Sequence, residues 1–116
     1  MLYIYRLSDT TMLEPNYPLH LNDESVLCFV KNKSRDSIKV YKDGPLTLWA
    51  KTAHRGELKL DAKFGETYYI RCGLTGGQFN TTPALERIDE KAGTAEYARV
   101  KKRHKDQDAR YLQEIH

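Results

Sequence analysis

Residues 46–74, LTLWAKTAHRGELKLDAKFGETYYIRCGL, decide the fold. Leu46, Leu48 and Ala50 alternate with Thr47, Trp49 and Lys51; further on, Leu58, Leu60, Ala62 and Phe64 alternate with Glu57, Lys59, Asp61 and Lys63. A period of two sends successive side chains to opposite faces, so apolar residues on one side and charges on the other describe half-buried antiparallel strands. Tyr68, Ile70, Cys72 and Leu74 continue the alternation. Between the first two runs, His54-Arg55-Gly56 suits a short hairpin loop with glycine at its left-handed position.

Outward from this stretch, residues 2–5, 17–21, 26–30 and 37–41 read as further short strands, which with 46–52, 57–63 and 67–74 make seven. That spacing belongs to a sandwich or barrel. Asp43-Gly44 offers the positive φ of a tight hairpin between Ile38-Val40 and Leu46-Leu48, and Asn22-Asp23 and Asn32-Lys33-Ser34 are connectors. LERIDEKAGTAEY, residues 85–97, is ambiguous; one reading is a hairpin turning at Lys91–Gly93 with Leu85–Arg87 and Ala95–Tyr97 as arms. From about Arg99 to His116 there is no Gly or Pro and helix formers dominate, with Val100, Tyr111, Leu112 and Ile115 forming an interrupted apolar stripe. The expectation is a mainly β chain: an antiparallel β-sandwich of about seven to nine short strands over residues 1–97, with a C-terminal α-helix or basic tail over 98–116, packed on the sandwich or extending from it.

The chain has 116 residues, the size of one domain, with 40% apolar and 30% charged residues. Its mean hydropathy is -0.71. Eight tyrosines against two methionines favour strands. No apolar run approaches the roughly 20 residues of a membrane-spanning helix, and no charged start followed by an apolar stretch marks a leader. Net charge is +3, but Arg99, Lys101, Lys102, Arg103 and Lys105 form a basic run without an acid. Removing those five cations leaves the rest at -2, so the basicity belongs to the tail.

YIYR at 3–6, the PLHLND and FVKNKS segments, GPLTLWAKT, LKLDAKFGETYYIRCGLTGG and LERIDEKAG together resemble a bacterial family of unknown function related to the PEGA β-sandwich and often found in envelope lipoproteins. The resemblance covers about Tyr3–Tyr97, with FGETYYIRCG its most telling piece. It implies a β-sandwich and an envelope location: periplasm or outer envelope, membrane-anchored if a lipoprotein leader was removed, cytoplasmic if the chain is complete as given. It implies no activity. Members commonly enter the GPLTLWAK strand through Pro-Gly, whereas here the order is Asp43-Gly44-Pro45.

Cys28 is in phase with Val26 and Val30, and Cys72 with Ile70 and Leu74. An inter-sheet disulfide is one expectation, worth about 4 kcal/mol at most for a loop of about 45 residues; two buried free thiols behaving as small hydrophobes are the other. His20, His54, His104 and His116 lack the paired spacing of a metal site, so neither metal nor cofactor is expected. There is no Gly-x-Ser-x-Gly, and a thiolate in core phase is disfavoured by desolvation. Gly73, Gly76 and Gly77 lack the Gly-Lys-Ser/Thr ending of a phosphate loop and read as a turn.

Two surfaces suit binding. Tyr41, Trp49 and Tyr69 occupy outward phases, with Tyr3 and Tyr5 as candidates to join them, and such a patch stacks on sugar rings or peptide. The competing expectation is that the terminal helix lies across this face through Tyr97, Val100, Leu112 and Ile115, because an apolar stripe has to be buried somewhere. The basic run, Arg99 with Lys101, Lys102, Arg103 and Lys105, suits an anionic membrane surface; nucleic acid is less expected, since no aromatics interleave the cations, and a solvated helix face is the plainer account. The leading expectation is thus a non-enzymatic accessory module of the bacterial envelope binding a protein or glycan partner. The alternatives are a small hydrolase using Cys72 and His54, and a structural module self-associating through an edge strand.

Overall fold

The computed structural model describes residues 1–7, 16–22, 25–31, 33–76, 80–100 and 114–115. In chain order the elements are β1 (Leu2–Arg6), β2 (Tyr17–Leu21), β3 (Ser25–Val30), β4 (Arg35–Val40), β5 (Gly44–Lys51), β6 (Arg55–Ala62), β7 (Tyr68–Thr75), β8 (Thr82–Ile88), α1 (Glu90–Arg99) and β9 (Glu114–Ile115). One sheet runs β8-β7-β1-β4-β9 and the other β3-β2-β5-β6. Most pairings are antiparallel; β1 with β7 and β4 with β9 are parallel. The sandwich read from the alternation is the fold observed.

The alternation does the packing. Leu46, Leu48, Ala50, Leu60 and Ala62 from one sheet meet Leu2, Ile4, Ile38, Val40 and Ile70 from the other in a single apolar core. Each such side chain fully buried contributes about 1.5–3 kcal/mol of transfer free energy for the larger aliphatics. A separate cluster of Tyr5, Tyr69 and Val100, joined by Tyr3 and Tyr97, lies on the opposite face of β1 and β7.

The structure corrects four local expectations. β4 and β5 lie in different sheets, so Asp43-Gly44 is a crossover between layers rather than a hairpin, although Gly44 does take a positive φ of 132°. β5 and β6 do form the expected hairpin, with Lys51 opposite Arg55, but Gly56 is not its left-handed residue. It serves close approach instead: a Cβ there would collide with the Pro83 carbonyl of β8, where the free edges of the two sheets meet.

Residues 85–97 do not turn at Lys91–Gly93. Leu85–Arg87 belongs to β8, while Ala95–Tyr97 belongs to α1. Asp89 caps that helix through its side chain, accepting from the Ala92 amide at 2.9 Å, with Glu90 in the first turn and Arg99 in the last. The described helix runs over Glu90–Arg99; of the helix expected over 98–116, residues 101–113 lie outside the described residues, and Glu114–Ile115 form a strand instead. The terminal stripe is divided: Val100 joins the tyrosine cluster, Ile115 enters the main core from β9, and Tyr111 and Leu112 lie outside the described residues.

Candidate functional site

The three outward-phase aromatics occupy three different environments rather than one patch. Tyr69 is buried beneath α1, where Gly93 sits against its ring. Tyr3 stacks on it at 5.0 Å with 17° between planes. Tyr97 meets Tyr3 edge-on at 5.0 Å, and the Thr94 hydroxyl donates to the Tyr69 hydroxyl at 3.0 Å. α1 thus converts this sheet face into a second core through Tyr97 and the following Val100, whereas Ile115 packs in the main core and Leu112 lies outside the described residues. Beside it, Glu96 accepts from the Tyr5 hydroxyl at 2.6 Å and from Arg71; burial, followed by the Glu96 carboxylate, pushes the Tyr5 hydroxyl well above its usual range.

Trp49 lies on the outer face of the other sheet, with its indole N–H donating to the Asn22 carbonyl at 2.6 Å. Asn22 can offer that carbonyl because it takes a left-handed φ of 52° while its side chain accepts from the Thr47 amide. His20 of β2 stacks on the indole at 4.2 Å, and the Arg55 guanidinium of β6 lies 4.3 Å from the ring. Since β2 and β6 flank β5 on opposite sides, both faces of the indole are filled from within. A sugar ring would have to displace one of them.

Tyr41 and Phe64 form the exposed aromatic pair. Their ring centroids lie 6.4 Å apart, with 42% of Tyr41 and 64% of Phe64 open to solvent. Phe64 was expected in core phase with Leu58 and Leu60. Instead β6 ends at Ala62 and Phe64 falls in the following turn, where Gly65 takes a φ of 86° and the Glu66 amide donates to the Lys63 carbonyl. The Asp43 side chain accepts from the Phe64 amide, and the Tyr41 amide donates to the Ile115 carbonyl at 2.7 Å. Three separate segments therefore fix one aromatic pair at one end of the sandwich. The signal available in the sequence was Gly65 directly after Phe64, a turn residue that terminates the strand.

The interior holds a polar group of residues that sequence phase only half revealed. Arg6 is fully buried, with its guanidinium 5.5 Å from the centre of the Tyr17 ring, and the Tyr17 hydroxyl donates to the Gly73 carbonyl at 2.9 Å, tying β2 to β7. Cys28 and Cys72 are free thiols, each about 3% exposed. Desolvation pushes Cys72 up to about 12; it pushes Cys28 well above its usual range, with Asp36 adding to the effect. His54 is exposed on the β5–β6 turn, its ring hydrogen-bonded to Asn80, whereas Cys72 is buried in the core.

Of the basic run, Arg99 is exposed at the end of α1, while Lys101, Lys102, Arg103 and Lys105 lie outside the described residues. Among the described residues no helix is long and apolar enough to cross a membrane, and no three metal-ligating side chains cluster.

The class these features define is an antiparallel-dominated β-sandwich with one sheet face covered by a helix and an aromatic pair presented at one end. No protein-family model matches the chain, and no curated protein or solved structure is significantly similar to it.

Proposed function

We propose that the chain is a non-enzymatic interaction module of the bacterial cell envelope that binds a protein partner through the end of the sandwich bearing Tyr41 and Phe64. The observation that carries this reading is the exposure of Phe64 on a well-anchored turn. A large aromatic held in solvent next to a second one is the composition of an interface centre. Lys42, Asp43, Lys63 and Glu66 adjoin the two aromatics in sequence and bring charges of both signs to the two segments. The occupied faces of Trp49 favour protein over glycan. The envelope location rests on the resemblance of residues 3–97 to envelope β-sandwich domains.

A photoreactive amino acid at position 64, introduced in bacterial cells, tests it. The expected outcome is one discrete adduct in the envelope fraction, lost with Tyr41→Ala and absent when the photoreactive group is placed at Lys59 on the outer sheet face. Equal labelling from both positions, or none from position 64, would overturn the reading.

A further inference from the structure

The tip of the β5–β6 hairpin brings two cations together. Lys51 and Arg55 are direct cross-strand partners, so they share the outer face of the sheet with Cα atoms about 5 Å apart. Like charges placed opposite each other weaken a strand pair. Arg55 is nonetheless held in place: its guanidinium lies 4.3 Å from the centre of the Trp49 ring and donates through Nη2 to Glu57 at 3.2 Å. Lys51 is exposed, and among the described residues no carboxylate lies within ion-pair distance of it. Trp49 precedes Lys51 by two positions on the same face of β5, so the stacked guanidinium lies beside the lysine stem.

The tip is also firmly placed. The Thr52 amide donates to the His54 carbonyl, and the His54 amide and the Thr52 hydroxyl both donate to the Thr81 carbonyl, at 3.0 and 2.8 Å. Trp49 is fixed by its bond to the Asn22 carbonyl and by His20 stacked on its other face. A guanidinium resting on an anchored indole loses little freedom on binding, and its planar edge meets two oxygens of one anion at once. Its bond to Glu57 joins side chains that are 49% and 44% exposed; an ion pair so open to water is readily exchanged for another.

We propose that Lys51 and Arg55 form a recognition site for a phosphate monoester group. The guanidinium edge takes two of its non-bridging oxygens and the Lys51 ammonium takes the third, with Glu57 released from Nη2 as the group arrives. A monoester offers three such oxygens and about 1.5 to 2 negative charges at neutral pH, matching three contacts and two cations. A carboxylate has two oxygens, and a phosphodiester, as in a nucleic-acid backbone or a phospholipid, has two that are non-bridging; both leave Lys51 without a partner oxygen. The site lies at the other end of the eight-residue β5 from Tyr41 and Phe64, about 24 Å along the strand, and does not depend on the protein-binding reading.

Methyl phosphate and dimethyl phosphate, which differ by one ester bond, are titrated against the full chain at constant ionic strength and near neutral pH, followed by phosphorus NMR of the ligand. Methyl phosphate is expected to bind at least about fivefold more tightly than the diester. Lys51→Ala and Arg55→Lys are each expected to weaken it by at least about fivefold, the second because an ammonium has no planar edge. Glu57→Gln is expected to tighten it, since the competing carboxylate is gone. Lys59→Ala removes another exposed cation about 13 Å from Arg55 on the same strand face, and is expected to change the affinity by less than about twofold. The emission of Trp49, the sole tryptophan, should respond to methyl phosphate and not to the diester. Equal affinity for the two esters, or an equal loss in Lys51→Ala and Lys59→Ala, overturns the proposal, because it leaves only a diffuse positive surface. A titration with no sign of saturation by about 20 mM does the same. O-phosphoserine and glucose 6-phosphate, titrated alike, distinguish a group carried on protein from one carried on sugar; binding of either supports the site, and failure of both rejects it.

Discussion

Gly93 of α1 lies directly on the ring of Tyr69, so close that a Cβ in its place would overlap the aromatic carbons. In most helices, replacing glycine by alanine stabilises, by about 0.5–1 kcal/mol. Here Gly93→Ala is expected to destabilise by about 1–3 kcal/mol, because the added methyl forces the helix off a packed aromatic face. The sign of the shift in a urea midpoint decides it, and a gain in stability would mean that α1 does not seat on Tyr69 in solution.

A second glycine gives an internal comparison between two strands. Gly56→Ala drives a methyl into the Pro83 carbonyl, a backbone atom with little freedom to retreat, whereas Gly73→Ala meets nothing within 4 Å. Thermal unfolding should therefore show a loss of about 1–3 kcal/mol for the first and a change within about 0.5 kcal/mol for the second. Equal effects would contradict the close approach of β6 and β8.

Glu96 and Glu86 both pair with Arg71, yet they should not weigh equally. Glu96 is 13% exposed and also receives the Tyr5 hydroxyl, while Glu86 is 62% exposed. Glu96→Ala leaves a buried phenol without its acceptor and should cost about 1–3 kcal/mol; Glu86→Ala removes a surface ion pair and should cost less than about 1 kcal/mol. Chemical denaturation of the two variants side by side is the measurement, and the order reversed would refute the assignment.

The buried thiols make the fold sensitive to alkali. The folded-state pKa of Cys72 lies near 12, above its ordinary value of 9.0, and that of Cys28 is raised as well. Above pH 9 the unfolded chain loses thiol protons that the folded chain keeps, so it binds fewer protons and stability falls as pH rises. The contribution is fully present below pH 9 and is lost progressively toward about pH 12, by at most about 4 kcal/mol for Cys72. Stability measured from pH 7 to 11 under reducing conditions should decline, with a shallower slope in Cys72→Ala. A thiol reagent at pH 8 should find neither cysteine until the chain unfolds.

The stretch from Leu46 to Leu74 carried the fold because alternation is a local property: a side chain's face depends only on whether its neighbours are in register with the pleat. The β5–β6 hairpin was legible for the same reason, as both arms and the turn are contiguous. Phe64 defeated the pattern at the point where Gly65 ends the strand. The helix over Glu90–Arg99 was obscured because Gly93, which reads as a turn residue, owes its place to Tyr69, a contact between residues far apart in the chain.

For the candidate site the division is sharper. That Tyr41, Trp49 and Tyr69 point away from the main core followed from phase alone. Their separate fates, one beneath a helix, one clasped by His20 and Arg55, and one open beside Phe64, followed from which strands become neighbours. Composition and periodicity determined that two apolar sheet faces would close on each other, since strands so patterned must hide one side from water. Tertiary structure decided which outer surfaces remained, because a face is exposed only when no other segment of the chain, such as α1 or Ile115, is placed to cover it.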